Sequence, residues 1–265
     1  MAIHPTAVVD PKAELDSTVY VGPYAVIEEG VKIGADSRVE AHAVVSGPTT
    51  IGQRNLIGSF AMIGGAPQDL SYKGEPTELI VGSDNQIREY ASVHRGTPSG
   101  HKKTVIGNHN LLMAYTHVAH DCIIGDHVIM ANVATLAGHV VVGDRASIGG
   151  LVAIHQFCRI GTFSYIGGVS GLGLDVPPFV IIAGTRNRTR ISGINKVGLR
   201  RNGFSRETIK QLDQAFRLIF RSPNLLMKDA IELAKKDFPE CAEVQTMVKF
   251  FEDSKRGVVK QTIED

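Results

Sequence analysis

Cut every six residues, the stretch 106–172 reads IGNHNL-LMAYTH-VAHDCI-IGDHVI-MANVAT-LAGHVV-VGDRAS-IGGLVA-IHQFCR-IGTFSY-IGGVSG-L, and every block opens on an aliphatic residue. The anchors are Ile106, Leu112, Val118, Ile124, Met130, Leu136, Val142, Ile148, Ile154, Ile160, Ile166 and Leu172. A second run shares the period: Ile3, Val9, Leu15, Val21, Ile27, Ile33, Val39, Val45, Ile51, Ile57 and Ile63. At 43% hydrophobic composition, eleven hits in one register arise by chance roughly once in ten thousand tries. A period of six suits neither a 3.6-residue helix nor a simple two-residue alternation. It suits a coil of short strands in which one aliphatic side chain in six points inward and stacks on the coils above and below. A continuous core then forms although no single coil could bury one. Glycines beside the anchors (Gly125, Gly143, Gly161) suit corners where the backbone turns within a few residues.

This pattern resembles the hexapeptide-repeat family, whose fold is a three-sided, left-handed parallel β-helix with three hexapeptides per coil. Handedness follows from the resemblance alone, because the general preference for right-handed crossovers argues the other way. About ten coils at roughly 4.8 Å per layer give a prism on the order of 45–50 Å long. The expected fold class is therefore mainly β, a β-helix over 1–190 followed by a small helical domain over 191–265.

The bulk numbers are compatible with such a chain. The 265 residues carry 28 Lys and Arg against 27 Asp and Glu, a net charge of +1, which gives no general reason to expect nucleic acid. No apolar stretch approaches a membrane span. The start, Met1-Ala2-Ile3-His4-Pro5, lacks the basic, apolar pattern of a signal peptide. Cys122, Cys158 and Cys241 are too few and scattered for a disulfide framework. A cytoplasmic, reducing compartment is expected.

Two breaks interrupt the repeats. Residues 64–80, GGAPQDLSYKGEPTELI, span one coil's worth between Ile63 and Val81, and either bulge from a coil or replace one. Residues 94–105, HRGTPSGHKKTV, shift the register by one and must contain a protruding loop. Loops leaving a rigid solenoid are where function is often placed. After Leu172 the period fades. Ser205 is the expected N-cap of a helix to about Arg221, with Ile209, Leu212, Phe216, Ile219 and Phe220 on one side. Two more amphipathic stretches, Leu225 to Phe238 and Cys241 to Ser254, follow, and their apolar faces are expected to pack together over the open end of the coil. From Val176 to Arg206 there is no acidic residue, while Arg186, Arg188, Arg190, Lys196, Arg200, Arg201 and Arg206 are basic. That stretch is either a solvated face or a seat for an anionic partner.

His117, His120, His139 and His155 all lie in the second run. With eighteen residues per coil, His120 sits under Gly138 and beside His139, and His155 falls close to the next equivalent position. Three readings of this column are open: an acid–base site, histidines that only pack and hydrogen-bond, or a metal site, since zinc hydratases that bind metal through three histidines use this same fold. Cys122 and Cys158 raise a fourth, a covalent acyl-cysteine.

The segments APQDLSYKGEPT, VHRGT, NLLMAYTHVAHDC, ATLAGHV, AIHQFC, SGLGLDVPPFVI and RRNGFSRE resemble the UDP-N-acetylglucosamine acyltransferase family over nearly the whole chain. The resemblance implies transfer of an acyl group, expected to be 3-hydroxylated, from an acyl carrier protein thioester to the sugar 3-hydroxyl of UDP-N-acetylglucosamine, the first step of lipid A synthesis. It implies homotrimers with sites between neighbouring prisms. His120 matches the catalytic base; imidazole, with an ordinary pKa of about 6.5, accepts a hydroxyl proton near neutral pH. Asp121 matches its orienting partner, although adjacent residues in a straight strand would point apart. Gly138 matches the backbone donor to the tetrahedral oxyanion. Gln68 and Asp69 match a sugar-gripping loop, His117, His139, His155 and Gln156 the walls of the site, and Asn195 and Arg201 residues near the diphosphate. Gly168 matches a position where side-chain size limits acyl length. A thioester is already activated, so no cofactor or metal is expected.

One residue departs from the pattern. Ser71 stands where many members have Lys, two places after the Asp of the QDL loop, and the nearest lysine is Lys73. A less positive pocket could favour a 3-amino UDP-sugar. The later N-acyltransferase of the same pathway normally has a domain ahead of its repeats, which a run beginning at Ile3 does not suit. An ice-binding β-helix would show a flat Thr array, which these irregular, His-rich positions lack.

Overall fold

The computed structural model describes residues 2–185 and 188–260; Arg186 of the basic stretch lies outside them. The chain forms three sheets of 11, 9 and 8 strands, most of them two residues long and parallel except for the last strand of the first sheet. Strands three apart in sequence pair, so the chain visits each sheet once per coil of a left-handed parallel β-helix. Each anchor stacks on its counterpart: Val118 on Leu136, Leu136 on Ile154, Ile154 on Leu172. From Val21 to Leu172 every anchor is at most 3% exposed. Burying a Val, Leu or Ile side chain stabilises by about 1.5–3 kcal/mol relative to leaving it in water, so the column of anchors is what holds the coil closed.

The corners differ from expectation. The turning is carried by non-glycine residues in the left-handed region, among them Tyr115, Asp121, His127, Val133 and His139, with φ between 56° and 65°. Gly143 instead answers a steric need: a Cβ there would stand 2.7 Å from the Thr162 nitrogen of the next coil. Glycine after an anchor allows coils to approach; it does not make the turn.

Both breaks are insertions that leave the coil and return to it. A ladder of buried asparagines shows this. Asn85 N–H donates to Asn55 Oδ1 across 30 residues, Asn110 N–H to Asn85 Oδ1 across 25, and Val128 N–H to Asn110 Oδ1 across the regular 18. Strand Met62–Gly65 pairs with Ser92–His94, with one register shift between Ile63 and Gly65 where the first loop leaves, and Glu78–Val81 pairs with Lys103–Ile106 without a break. The first loop bulges out of a coil and does not replace one.

At the far end, strand Val180–Ala183 continues the first sheet in parallel and Arg190–Ile194 closes it antiparallel. Helices follow at Lys196–Arg201, Arg206–Phe220, Met227–Asp237 and Ala242–Glu252. The first of these was not anticipated. The second starts where expected, with Ser205 Oγ accepting from the Thr208 N–H at 3.0 Å. Its Ile209, Leu212, Ala215, Phe216 and Ile219, with Val244, Met247 and Val248 of the last helix, join the same buried cluster as the prism. The chain then returns, Val259 N–H donating to the Asp175 carbonyl. No helix among the described residues is long and apolar enough to cross a membrane.

Candidate active site

Strand His117–Val118 lies in the nine-strand sheet and Ile123–Ile124 in the eight-strand sheet; the corner between them holds His120 and Asp121. In a straight strand their side chains would diverge. Asp121 has φ 59°, and this left-handed turn swings its carboxylate back under the imidazole, 2.9 Å from His120 Nδ1. Asp121 is wholly buried. Besides His120 it accepts from the Thr97 N–H (2.9 Å), the Thr97 hydroxyl (2.6 Å) and the His101 N–H (2.7 Å). Burial alone would raise its pKa; the hydrogen bonds from Thr97, His120 and His101 outweigh burial and hold it below the ordinary carboxylate range.

An ionised carboxylate only accepts, so the proton on His120 sits on Nδ1 and Nε2 keeps its lone pair. That bare nitrogen faces Gly138 one coil on. A Cβ on Gly138 would stand 2.5 Å from His120 Cε1 and 2.7 Å from Nε2. The Gly138 N–H has no hydrogen-bond partner among the described residues.

Three further histidines, His139, His117 and His94, lie around this pair, with His155 farther out on the same corner. His139 meets His120 edge to face, with centroids 5.1 Å apart, and stacks on Phe157 at 4.5 Å. Burial lowers its pKa, partly offset by the Asp121 charge. His117 bonds Ser92 Oγ through Nδ1 at 2.8 Å and is lowered by burial and then by His120. His94, edge to face with His117, is lowered to about 4 by burial, followed by His117, His120 and Arg95. His155 is exposed and its Nδ1 accepts from Arg256 Nη2 at 2.9 Å; Gln156 is exposed on the same corner.

The first insertion brings Gln68 and Asp69. Asp69 Oδ1 accepts both the Ser71 N–H and hydroxyl at 2.7 Å. These bonds lower its pKa, the hydroxyl first, with His120 and His139 adding to the effect. Ser71 thus ties the turn of the loop, while Lys73 Nζ folds back onto the Leu70 carbonyl at 3.0 Å.

Three expected site residues stand elsewhere. Gly168 is exposed on the corner between the 11-strand and nine-strand sheets. Asn195 caps the helix Lys196–Arg201, and its Nδ2 donates to Phe163 O at 2.9 Å on the third corner. Arg201 is exposed at the end of that helix. One prism does not bring them to His120. Sequence reasoning in turn missed roles for His94 and Thr97, although VHRGT contains both, and for His101, Phe157 and Arg256. An open groove of about 850 Å³ beside the corner is lined by His101, His139, Phe157, Arg159 and Arg256.

Among the described residues, His120, Asp121 and His139 are the one group with atoms close enough to share a metal, within 4.8 Å of one another. The donor set does not suit one. Both Asp121 oxygens are already committed to four N–H and O–H donors, which fits an acid–base pair. The thiols are equally unsuited to nucleophilic work: burial pushes Cys122 up to about 12 and Cys158 up to about 11, so neither is a thiolate near neutrality.

Asp121→Asn is expected to cost about 1–3 kcal/mol at neutral pH, the penalty for spoiling buried hydrogen bonds. Because the folded pKa is lowered, the wild-type advantage is full above the unfolded value of about 3.9 and fades as pH falls through the folded one. Urea unfolding at pH 7 and in acid checks this; the gap should narrow in acid.

The bacterial transferase hexapeptide pattern matches residues 12–47 and 103–138, and the pattern for UDP N-acetylglucosamine O-acyltransferase, domain 2, matches 175–259. A Syntrophobacter fumaroxidans protein called acyl-[acyl-carrier-protein]--UDP-N-acetylglucosamine O-acyltransferase is 48% identical over 98% of this chain and 100% of its own. The chain belongs to the UDP-N-acetylglucosamine O-acyltransferase family. A Thermodesulfovibrio yellowstonii acyltransferase of the same name is 51% identical over 97% of this chain and 99% of its own. LpxA from Acinetobacter baumannii superposes with a TM-score of 0.93 at 47% identity, covering 98% of this chain and 100% of that one. The acyltransferase fold, including the helical tail, is thus shared end to end.

Proposed function

We propose that this chain moves an acyl group, 3-hydroxylated by the family resemblance, from acyl carrier protein thioester to the 3-hydroxyl of UDP-N-acetylglucosamine, as the first step of lipid A synthesis. The observation that carries the reading is the His120 imidazole, its Nδ1 proton held by buried Asp121 and its bare Nε2 facing Gly138. Nε2 takes the hydroxyl proton as the sugar oxygen attacks the thioester carbonyl. Asp121 stabilises the imidazolium that results. Negative charge gathers on the former carbonyl oxygen, where the unpaired Gly138 N–H donates to it. Collapse expels the carrier thiolate, which takes the proton back from Nε2. Asp69 and Gln68 hold the sugar, and His117, His139, His155 and Gln156 wall the site.

The working unit is a homotrimer in this reading. Its support is that Gly168, Asn195 and Arg201, site residues by the family resemblance, occupy corners other than the His120 corner, an arrangement that neighbouring prisms would bring together. An exposed apolar ridge along the Gly168 corner, with Tyr24, Phe60, Tyr90, Tyr115, Leu151 and Val169, is surface of the kind that subunit packing covers. We place the reaction in the cytoplasm, in keeping with three unpaired cysteines. Incubating the protein with UDP-N-acetylglucosamine and a panel of acyl carrier protein thioesters, read by product mass, tests the proposal. An O-acylated UDP-sugar is expected. No acylated sugar, or acylation only of the 3-amino analogue, would overturn it.

A further inference from the structure

Thr97 lies outside every residue assigned above, in the loop between strands Ser92–His94 and Lys103–Ile106. It is completely buried. Its hydroxyl reaches Asp121 Oδ2 at 2.6 Å and its N–H reaches the same oxygen at 2.9 Å, the atom that also holds His120 Nδ1 at 2.9 Å. The loop is shaped to this carboxylate: His101 N–H takes Oδ1, and a Cβ on Gly100 would collide with the carboxyl group. Three donors therefore share one oxygen, and one of them is the base's own proton.

We infer that Thr97 is a positioning residue of the acyltransferase reaction, its hydroxyl competing with the His120 imidazole for Asp121 Oδ2 and so setting how basic Nε2 is. The inference rests on His120 being the base. A hydroxyl donor drains charge from the carboxylate oxygen, and less charge means a weaker hold on the imidazolium. Removing the hydroxyl while keeping the N–H leaves Asp121 a stronger partner. The other ionisable groups facing the pair are His139 on the next coil, His117 and His94 on the neighbouring sheet, His101 in the same loop and Asp69 in the other. None is changed by a substitution at Thr97.

The test uses Thr97→Val, which keeps shape and N–H, and Thr97→Ser, which keeps the hydroxyl. The His120 ring is titrated by NMR in the free full-length protein, and kcat/KM is followed against pH. Thr97→Val is expected to raise the His120 midpoint, and with it the acid limb of kcat/KM, by roughly 0.5–1 pH unit, and Thr97→Ser to restore both. Should Thr97→Val fail to fold, Thr97→Ala is read in the same way. A midpoint unchanged in the hydroxyl-free variant overturns the inference, whatever the rate, because a merely structural residue would lower turnover without moving it. A midpoint that moves while the acid limb of kcat/KM stays put would sink His120 as the base and leave the coupling intact.

Discussion

Replacing His120 with Ala is expected to lower turnover by about 10²–10⁴-fold, the range that general-base catalysis contributes. The sugar hydroxyl would lose the one nitrogen that is both bare and backed by a buried carboxylate. His139 cannot stand in: its Nε2 lies 3.9 Å from Asp121 Oδ2, and burial makes its charged form costly. Stability should change little, because the ring sits at a corner outside the aliphatic column. Steady-state rates with acyl carrier protein thioester, alongside a thermal melt, separate the two. A variant that melts like wild type and turns over within a few-fold of it would remove His120 from the mechanism.

Gly138→Ala is expected to be nearly as damaging although it deletes nothing. A single methyl would stand 2.5 Å from Cε1 and 2.7 Å from Nε2 of the base, distances real carbons do not tolerate. Gly138 has no left-handed φ, so alanine costs no backbone strain there. The imidazole has to yield, and leaving Asp121 Oδ2 costs it both tautomer and direction. The methyl also occupies the space in front of the amide assigned to the oxyanion. A loss of about 10²-fold or more follows from displacing the base alone. The expected signature is a fall in kcat at nearly constant KM for the UDP-sugar. Unimpaired kcat would mean the thioester does not sit between these two residues.

Periodicity carries a great deal of the architecture. Every anchor from Val21 to Leu172 points where a six-residue period directs it, and Ser205 caps the helix it was expected to cap. Periodicity is silent on backbone sign: nothing in the letters HD says that Asp121 takes a positive φ, and without that turn the two side chains diverge. It is equally silent inside insertions. Thr97 has no eighteen-residue counterpart to stack on, so its hold on Asp121 could emerge only from coordinates. The helix Lys196–Arg201 was missed because six residues containing Gly198 offer too short a window for a 3.6-residue pattern. Gly168, Asn195 and Arg201 came from family likeness alone, and their separate corners explain why spacing along one chain would not have grouped them.

Both loops leave the coil at the corner that also holds His120, while the asparagine ladder climbs a different corner. The aliphatic column therefore does not depend on what the first loop carries, whereas the second loop is tied to the coil through Asp121. Length or composition of that first loop can drift, or be rewritten by an engineer, without moving the asparagine ladder. What the first loop carries and what keeps the prism closed are inherited as separate traits.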